Sequence, residues 1–279
     1  GARAARRAAG GPDEARALAA LEFLEARRPS AWMDATPVPP ERQSGPAVAE
    51  VASASSASPA REGAVPPADD AAAKAFCRIY NDEEWGAEAR SGLGSREGTT
   101  REFRDFFEGF LRDYGITSVV DAGCGHWPTG YQRFMNWQGV HYTGVDIVPY
   151  VVRENGAYFS DPEVLRARGL SSAQCQQGSV SEELPPGDLL LVKDVLMHLP
   201  NAAVSRFLQS SIDVSPQRYR YVLLVQNSVP PMNVREMIDI EPGQLLPFNI
   251  AAPPFSAAFE DVFHWQSDEP KVVQLWRAP

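Results

Sequence analysis

The chain has few cysteines, few cations and no long apolar run. Among its 279 residues only Cys77, Cys124 and Cys175 are cysteines. They are odd in number, widely spaced, outside any C-x-x-C pair and without histidines at zinc-ligand spacing, so neither a disulfide framework nor a metal site is expected. A reducing, intracellular compartment follows as the expectation, cytoplasmic by default. No stretch approaches the roughly 18 apolar residues that a membrane span needs, so a soluble chain without a membrane partner is expected. Lys and Arg number 26 against 36 Asp and Glu, for a net charge of -10, and no basic run follows residue 30. Phosphate backbones are held by clustered Lys and Arg, so this balance argues against a nucleic-acid partner.

What is present is ample apolar material, 44% of residues, enough for the core of one large domain with an appendage. The chain divides by composition. Residues 1–75 are rich in Ala, Pro, Ser and Glu, and from about 30 to 72 they show no sustained apolar period. Such a stretch buries too little surface to offset its ordering entropy, so a largely disordered tail is expected there, one that can attach the domain to upstream domains of a longer chain. Leu18, Leu21, Phe23 and Leu24 among strong helix formers fit one helix over about 12–28. The chain opens on Gly1, as a fragment or processed product would, and its Arg- and Ala-rich start resembles part of a transit peptide, although acids follow at once. The folded domain is expected over 76–279.

In "TTREFRDFFEGFLRDYG" the residues Phe103, Phe106, Phe107, Phe110 and Leu111 share one helical face, with Thr99 or Thr100 as N-cap and Gly115 as stop. Five apolar residues on one stripe indicate core. Then come a strand "ITSVVDAG", a glycine loop with a short helical stretch, a strand "HYTGVDI", a helix "PYVVRENGAYF" and a short strand near "AQCQQGS". A strand "DLLLVKDV", a helix "NAAVSRFLQSSI" and a strand "YRYVLLVQN" follow. This alternation predicts an α/β, Rossmann-like sheet with helices on both faces. "DVFHWQS" and "KVVQLWRA", joined by a turn at Asp268-Glu269-Pro270, add a final antiparallel pair. The proline-rich segment between them and the fifth strand is long and carries Met232, Leu245, Leu246, Phe248, Ile250 and Phe255, so it is expected to be an ordered lid contributing to an acceptor pocket. Ligands of such sheets sit beyond the carboxyl ends of the strands, which brings the tips at Asp121, Asp146 and Lys193-Asp194 to one rim.

The glycine loop "SVVDAGCGHWPTGYQ" selects among nucleotides. A dinucleotide loop needs a third glycine so that its helix packs close and aims its N-terminus at a pyrophosphate. Here Gly123 and Gly125 are followed by His126, Trp127 and Pro128, with the next glycine only at Gly130. Asp121, two residues before Gly123, would repel a phosphate and suits a cation. Asp146, 25 residues later at the end of the second strand, suits a ribose diol. An ammonium and a ribose without phosphate describe S-adenosylmethionine. A tight strand-to-helix turn with no ligand is the plain alternative.

"VVDAGCG", "YTGVDIVPYVV", "DLLLVKDVLMHLP" and "KVVQLWRA" occur in the order of the class I S-adenosylmethionine-dependent methyltransferases, and with "SGLGSREGTTREFR" and "NVREMIDIEPGQLLPFNIAAPPF" the chain resembles uncharacterised methyltransferase-domain proteins over about Cys77 to Pro279. The resemblance implies a seven-stranded sheet and methyl transfer to an unidentified, small-molecule acceptor. It implies cofactor contacts at Asp121, Gly123, Gly125, Asp146 and the adjoining Ile147, and at Lys193. Ser179 and Val180 stand where an Asp commonly meets the adenine amino group. The resemblance also implies that "SGLGS", from Ser91 to Ser95, folds over the cofactor with Arg101 and Arg104, where a guanidinium would pair with the methionine carboxylate; otherwise "SGLGS" is a flexible loop and both arginines are solvated helix residues. Asp194 and His198 are the expected catalytic pair, with Asn227 a further rim residue; Asp194 as a turn cap and His198 on the domain surface are the alternatives. Trp127 stacks near the ligand or bridges helix and strand in the core. His126, where an acid is common, and Ser179 leave room for a second reading, a catalytically inactive scaffold or partner module.

Overall fold

A computed structural model describes residues 68–228, 234–267 and 269–279. Residues 1–67 of the expected tail, with the helix over 12–28, lie outside the described residues, as do Met232, Asn233 and Asp268, whereas residues 68–75, expected as tail, are helical. The first element, α1 (Ala68–Asn81), had no counterpart in the sequence reading because its Ala-rich start reads as tail. Ala72, Phe76, Ile79 and Tyr80 nevertheless fall on one face and are buried. Helix α2 (Arg101–Asp113) buries Phe103, Phe107, Phe110 and Leu111. Thr100 occupies its N-cap position, but the hydroxyl turns away from the helix and donates to Arg96 O at 2.7 Å.

The sheet follows the expected alternation. Its strands are β1 (Ser118–Ala122), β2 (His141–Asp146), β3 (Ser172–Gln177), β4 (Leu189–Lys193), β5 (Tyr221–Asn227), β6 (Glu260–Gln266) and β7 (Pro270–Arg277). Helices α3 (Pro149–Phe159), α4 (Pro162–Arg168) and α5 (Asn201–Ser211) connect them. α4 is an element that the sequence reading missed, although its signals are local: Asp161 accepts from Glu163 N, Pro162 opens the helix, and Gly169 ends it at φ 63°. The strand order is β3-β2-β1-β4-β5-β7-β6. β1 to β5 pair in parallel and β7 runs antiparallel between β5 and β6, which gives the expected closing pair.

Alternate residues of the central strands feed two cores, one on each face. Val120, Ala122, Leu190, Val192, Val222 and Leu224 meet α1, α5 and residues 237–252. Val119, Leu189, Leu191, Leu223 and Val225 meet α2, Trp127 and Trp137. Trp127 is fully buried and stacks on Trp137 with centroids 5.6 Å apart, edge-on to Tyr142 and Phe159, so of its two expected roles the structure gives it the core one. Successive strands are added to one side from β1 to β3 and to the other from β4 onward, so the order switches between the parallel neighbours β1 and β4, and a cleft opens at their carboxyl ends. Among the described residues no helix is long and apolar enough to cross a membrane.

Truncating so large a core side chain leaves a cavity that the neighbouring rings cannot fill. Trp127→Ala is expected to lower the unfolding free energy by about 3–5 kcal/mol, read from urea denaturation of the chain; a loss within about 1 kcal/mol would contradict its place in the core.

Candidate active site

Two carboxylates at neighbouring strand tips form the floor of the cleft. Asp121, at the end of β1, is 1% exposed and accepts a hydrogen bond from the Tyr142 hydroxyl at 2.7 Å. Burial pushes its pKa up to about 6, against the pull of Tyr142, Gln132 and the nearby Lys193. Asp146 ends β2; one of its oxygens accepts from Gly125 N at 2.9 Å and the other from Val148 N at 3.0 Å. Burial raises its pKa too, while those amide bonds lower it.

The glycine loop is fixed atom by atom. Gly123 N and Cys124 N donate to Val145 O, and Gln132 Nε2 donates to Cys124 O. Asn155, buried in α3, donates to Gly125 O and accepts from Trp127 N, so it spans His126 on both sides. Positive φ is required at two places: Gly123 sits at 75° and Gly125 at 63°, and an added Cβ would come within 2.3 Å of Val195 Cγ2 and 2.5 Å of Ser91 Oγ. The glycines therefore serve close approach as well as backbone freedom.

His126 also finds its reason here. Its amide donates to Ser91 Oγ, and its ring joins Thr129 Oγ1 at 2.8 Å and Glu154 Oε2 at 2.9 Å. Glu154 in turn pairs with Arg90 at 3.2 Å. Burial pulls the His126 pKa down, against the Glu154 carboxylate. The Ser91 oxygen is 2.7 Å from the Tyr80 hydroxyl. Thus α1 and the segment around Ser91 are hydrogen-bonded to the glycine loop, and Phe76, Tyr80, Trp85, Ser91 and Ser95 all line the cleft.

The opposite rim carries a charged knot. Asp194, held at φ 56°, takes Lys193 Nζ at 2.5 Å on one oxygen and Lys271 Nζ at 2.8 Å on the other. Lys193 also donates to Gly94 O at 2.7 Å. Burial alone would raise the Asp194 carboxyl, but the two ammoniums outweigh it and hold the pKa far below the carboxylate range. His198 lies 5.1 Å from the Trp85 ring, and its Nδ1 is 3.1 Å from Gln244 O. A carbonyl only accepts, so Nδ1 carries the proton and Nε2 keeps a lone pair. Burial pushes the His198 pKa down to about 4. At the far end Ile147, Ser179, Val180 and Ser181 line the cleft, with the hydroxyls of Ser179 and Ser181 2.8 Å apart.

Most residues singled out in the sequence meet in this cleft: Asp121, Gly123, Gly125, Asp146, Ile147, Ser179, Val180, Lys193, Asp194 and His198 all line it. The structure does not bring Arg101 there; it is exposed at the start of α2. Arg104 faces away as well, donating to Phe134 O and Glu97 O. Asn227 is turned to Glu269 and lies off the cleft. The described residues of the expected lid, 234–255, line no part of the cleft themselves; they pack behind it in one core with Phe76 and Ala203, and they bond His198 through Gln244 O and the Gly243 amide, which donates to His198 O. Tyr80, Asn155 and Lys271 were not singled out in the sequence. Ser91 belongs to "SGLGS", which the resemblance places over the cofactor and which reads at minimum as a flexible loop, and Ser91 and Ser95 line the cleft.

No family model matches the chain, and no curated protein matches it. Among solved structures it is similar to magnesium protoporphyrin IX methyltransferase from Synechocystis PCC 6803 with bound SAM, at 14% identity over 76% of this chain and 98% of that one, TM-score 0.48. It is also similar to human N-acetylserotonin methyltransferase in complex with SAM, at 17% identity over 73% of this chain and 59% of that one, TM-score 0.42. A third likeness is to the small RNA methyltransferase HEN1, at 13% identity over 64% of this chain and 26% of that one, TM-score 0.45. The fold itself rests on this chain's own strand order, with β7 antiparallel between β5 and β6: it is the seven-stranded sheet of the class I S-adenosylmethionine-dependent methyltransferases.

Proposed function

We propose that the domain binds S-adenosylmethionine in this cleft and transfers its methyl group to a small-molecule acceptor. The observation that carries the reading is the pair of buried carboxylates, Asp121 and Asp146, at adjoining strand tips beneath a loop that offers no pyrophosphate seat. A carboxylate has about four acceptor positions, and the two amide bonds of Asp146 leave the others for the 2′- and 3′-hydroxyls of a ribose. Asp121 sits where a cationic amino-acid end restores the charge balance that burial disfavours. Ile147, Ser179 and Val180 supply the adenine end. The cover formed by α1 and the segment around Ser91 favours an acceptor small enough to enter beside the cofactor.

A methyl sulfonium is intrinsically reactive, so alignment of the acceptor, the methyl group and the leaving sulfur supplies most of the acceleration. When the acceptor is a hydroxyl or an amine, a proton must also leave. Asp194 was the first candidate to take it, but both its oxygens are held by ammonium groups and it stays ionised; its role in this reading is counter-ion to Lys193 and Lys271. His198, neutral near pH 7 with Nε2 unprotonated, takes the proton instead.

Linkage gives a test. The Asp121 pKa lies above its ordinary value, so in the free protein its contribution to stability is present at low pH and lost as pH rises through about 6. A cationic ligand favours the ionised form. Affinity for S-adenosylmethionine should therefore rise with pH over roughly 5 to 7 and then level off, and Asp121→Asn should flatten that rise and weaken binding. A wild-type Kd that does not vary over this range contradicts the assignment. Asp146→Ala is expected to cost about 3 kcal/mol, roughly a hundredfold in Kd, with the far-ultraviolet circular dichroism of the fold retained; an unchanged Kd removes the ribose assignment. For the transfer itself, incubation with a labelled methyl donor and cell extract should place label in a low-mass product, and label confined to macromolecules would refute the small acceptor.

A further inference from the structure

Cys124 belongs to the glycine loop, between Gly123 and Gly125, while Cys175 belongs to β3, yet their Sγ atoms are 3.8 Å apart and both thiols are free. Strand β2 runs between β1 and β3, and its residue paired with Cys175 is Gly144. A Cβ on Gly144 would stand 2.9 Å from the Cys124 sulfur, so glycine at this register position is what lets that sulfur reach across β2. Asn155 ties the pair to the loop: its Nδ2 donates to Gly125 O at 2.8 Å and lies 3.6 Å from the Cys124 sulfur and 3.8 Å from that of Cys175. Cys175 is half-buried on an edge strand, where a small oxidant can reach it, whereas Cys124 is buried. Contact with Cys175, then burial, raises the Cys124 thiol pKa well above its ordinary value and keeps it protonated.

We propose that Cys124 and Cys175 are a modification site, oxidised by a peroxide to a reversible disulfide that draws the glycine loop toward β3 and out of its ligand-binding geometry. In the first step Cys175 loses its proton and its sulfur attacks a peroxide oxygen; an S–O bond forms, the O–O bond breaks and hydroxide leaves. Cys124 then gives up its proton and attacks the Cys175 sulfur; the S–S bond forms, the S–O bond breaks and a second hydroxide leaves. The two released protons turn both hydroxides into water, so two thiols have lost two electrons to one peroxide. A dithiol reductant reverses the change. Closure brings the sulfurs from 3.8 Å to a bond of about 2.05 Å. The Cys124 backbone is bonded on both sides, to Val145 O and from Gln132 Nε2, so the pull passes to Gly123 and Gly125.

Formation of the bond stands on the sulfur geometry alone; its effect on the ligand rests on the S-adenosylmethionine reading. The test treats the full chain with hydrogen peroxide, alkylates it, digests it without reductant and maps the peptides by mass. The expected result is a cross-linked peptide pair holding Cys124 and Cys175 with Cys77 alkylated, and no cross-link in Cys175→Ser. Alkylated Cys124 and Cys175, or a cross-link to Cys77 instead, overturns the proposal. In parallel, S-adenosylmethionine is titrated into reduced, oxidised and re-reduced chain. Binding should weaken by roughly tenfold on oxidation, the size of an ordinary coupling between two sites, and recover with dithiothreitol, while peroxide leaves the affinity of Cys175→Ser unchanged. Equal affinity of cross-linked and reduced chain overturns the effect on the loop. No binding to the reduced chain is instead a failure of the ligand reading, and the cross-link then decides the chemistry by itself.

Discussion

One buried side chain, Asp146, sets the geometry on which the cleft depends. Its carboxylate ends β2 and accepts the amides of Gly125 and Val148, so it ties the loop after β1 to the start of α3. Leaving an ionised carboxylate without partners at 6% exposure would cost several kcal/mol, and the amide bonds offset part of that penalty although burial still raises the pKa. The loop in turn can take its left-handed turns only because residues 123 and 125 are glycines. Asn155 and Ser91 then close the remaining amides of the turn. A binding surface held this firmly before its ligand arrives loses little entropy on binding.

Charge decides what such a surface can receive. Asp121, Asp146 and Asp194 line the cleft; Lys193 and Lys271 are both spent on Asp194. The knot carries a formal charge of +1 and Lys193 also pulls on Asp121, so with Asp121 and Asp146 ionised the five groups are net negative by one charge. Two buried acids repel an anion such as a pyrophosphate and attract a ligand with a net positive charge. The strained backbone at Asp194, φ 56° in a non-glycine residue, is kept because the two lysines and the bond from its own amide to Val225 O over-determine it.

Much of this was legible in the sequence, and the boundary is physical. The strands were readable because apolar runs and alternation are local, and α2 because five apolar residues repeat at helical spacing. Asp121 and Asp146 were readable because each ends a strand next to a glycine or a helix start. Contacts that depend on tertiary closure were not. Lys271 reaches Asp194 across 77 residues of chain, and nothing near either residue announces the other. α1 was hidden by its alanines, and with it the Tyr80 hydroxyl that meets Ser91. His126 looked like a departure from the usual acid and proves to be a tether, bonded to Thr129 and Glu154. Arg101 shows the opposite failure: a plausible partner by motif that the helix turns to solvent.

The central claim is that this acidic, phosphate-averse cleft is built for a sulfonium nucleoside. Isothermal titration of the reduced chain at pH 7.5 or thereabouts with S-adenosylmethionine, and separately with NAD, tests it most directly. The account predicts saturable one-site binding of S-adenosylmethionine at a Kd on the order of micromolar to tens of micromolar, with NAD silent. No heat from S-adenosylmethionine at millimolar concentration, or tighter binding of NAD, would contradict it.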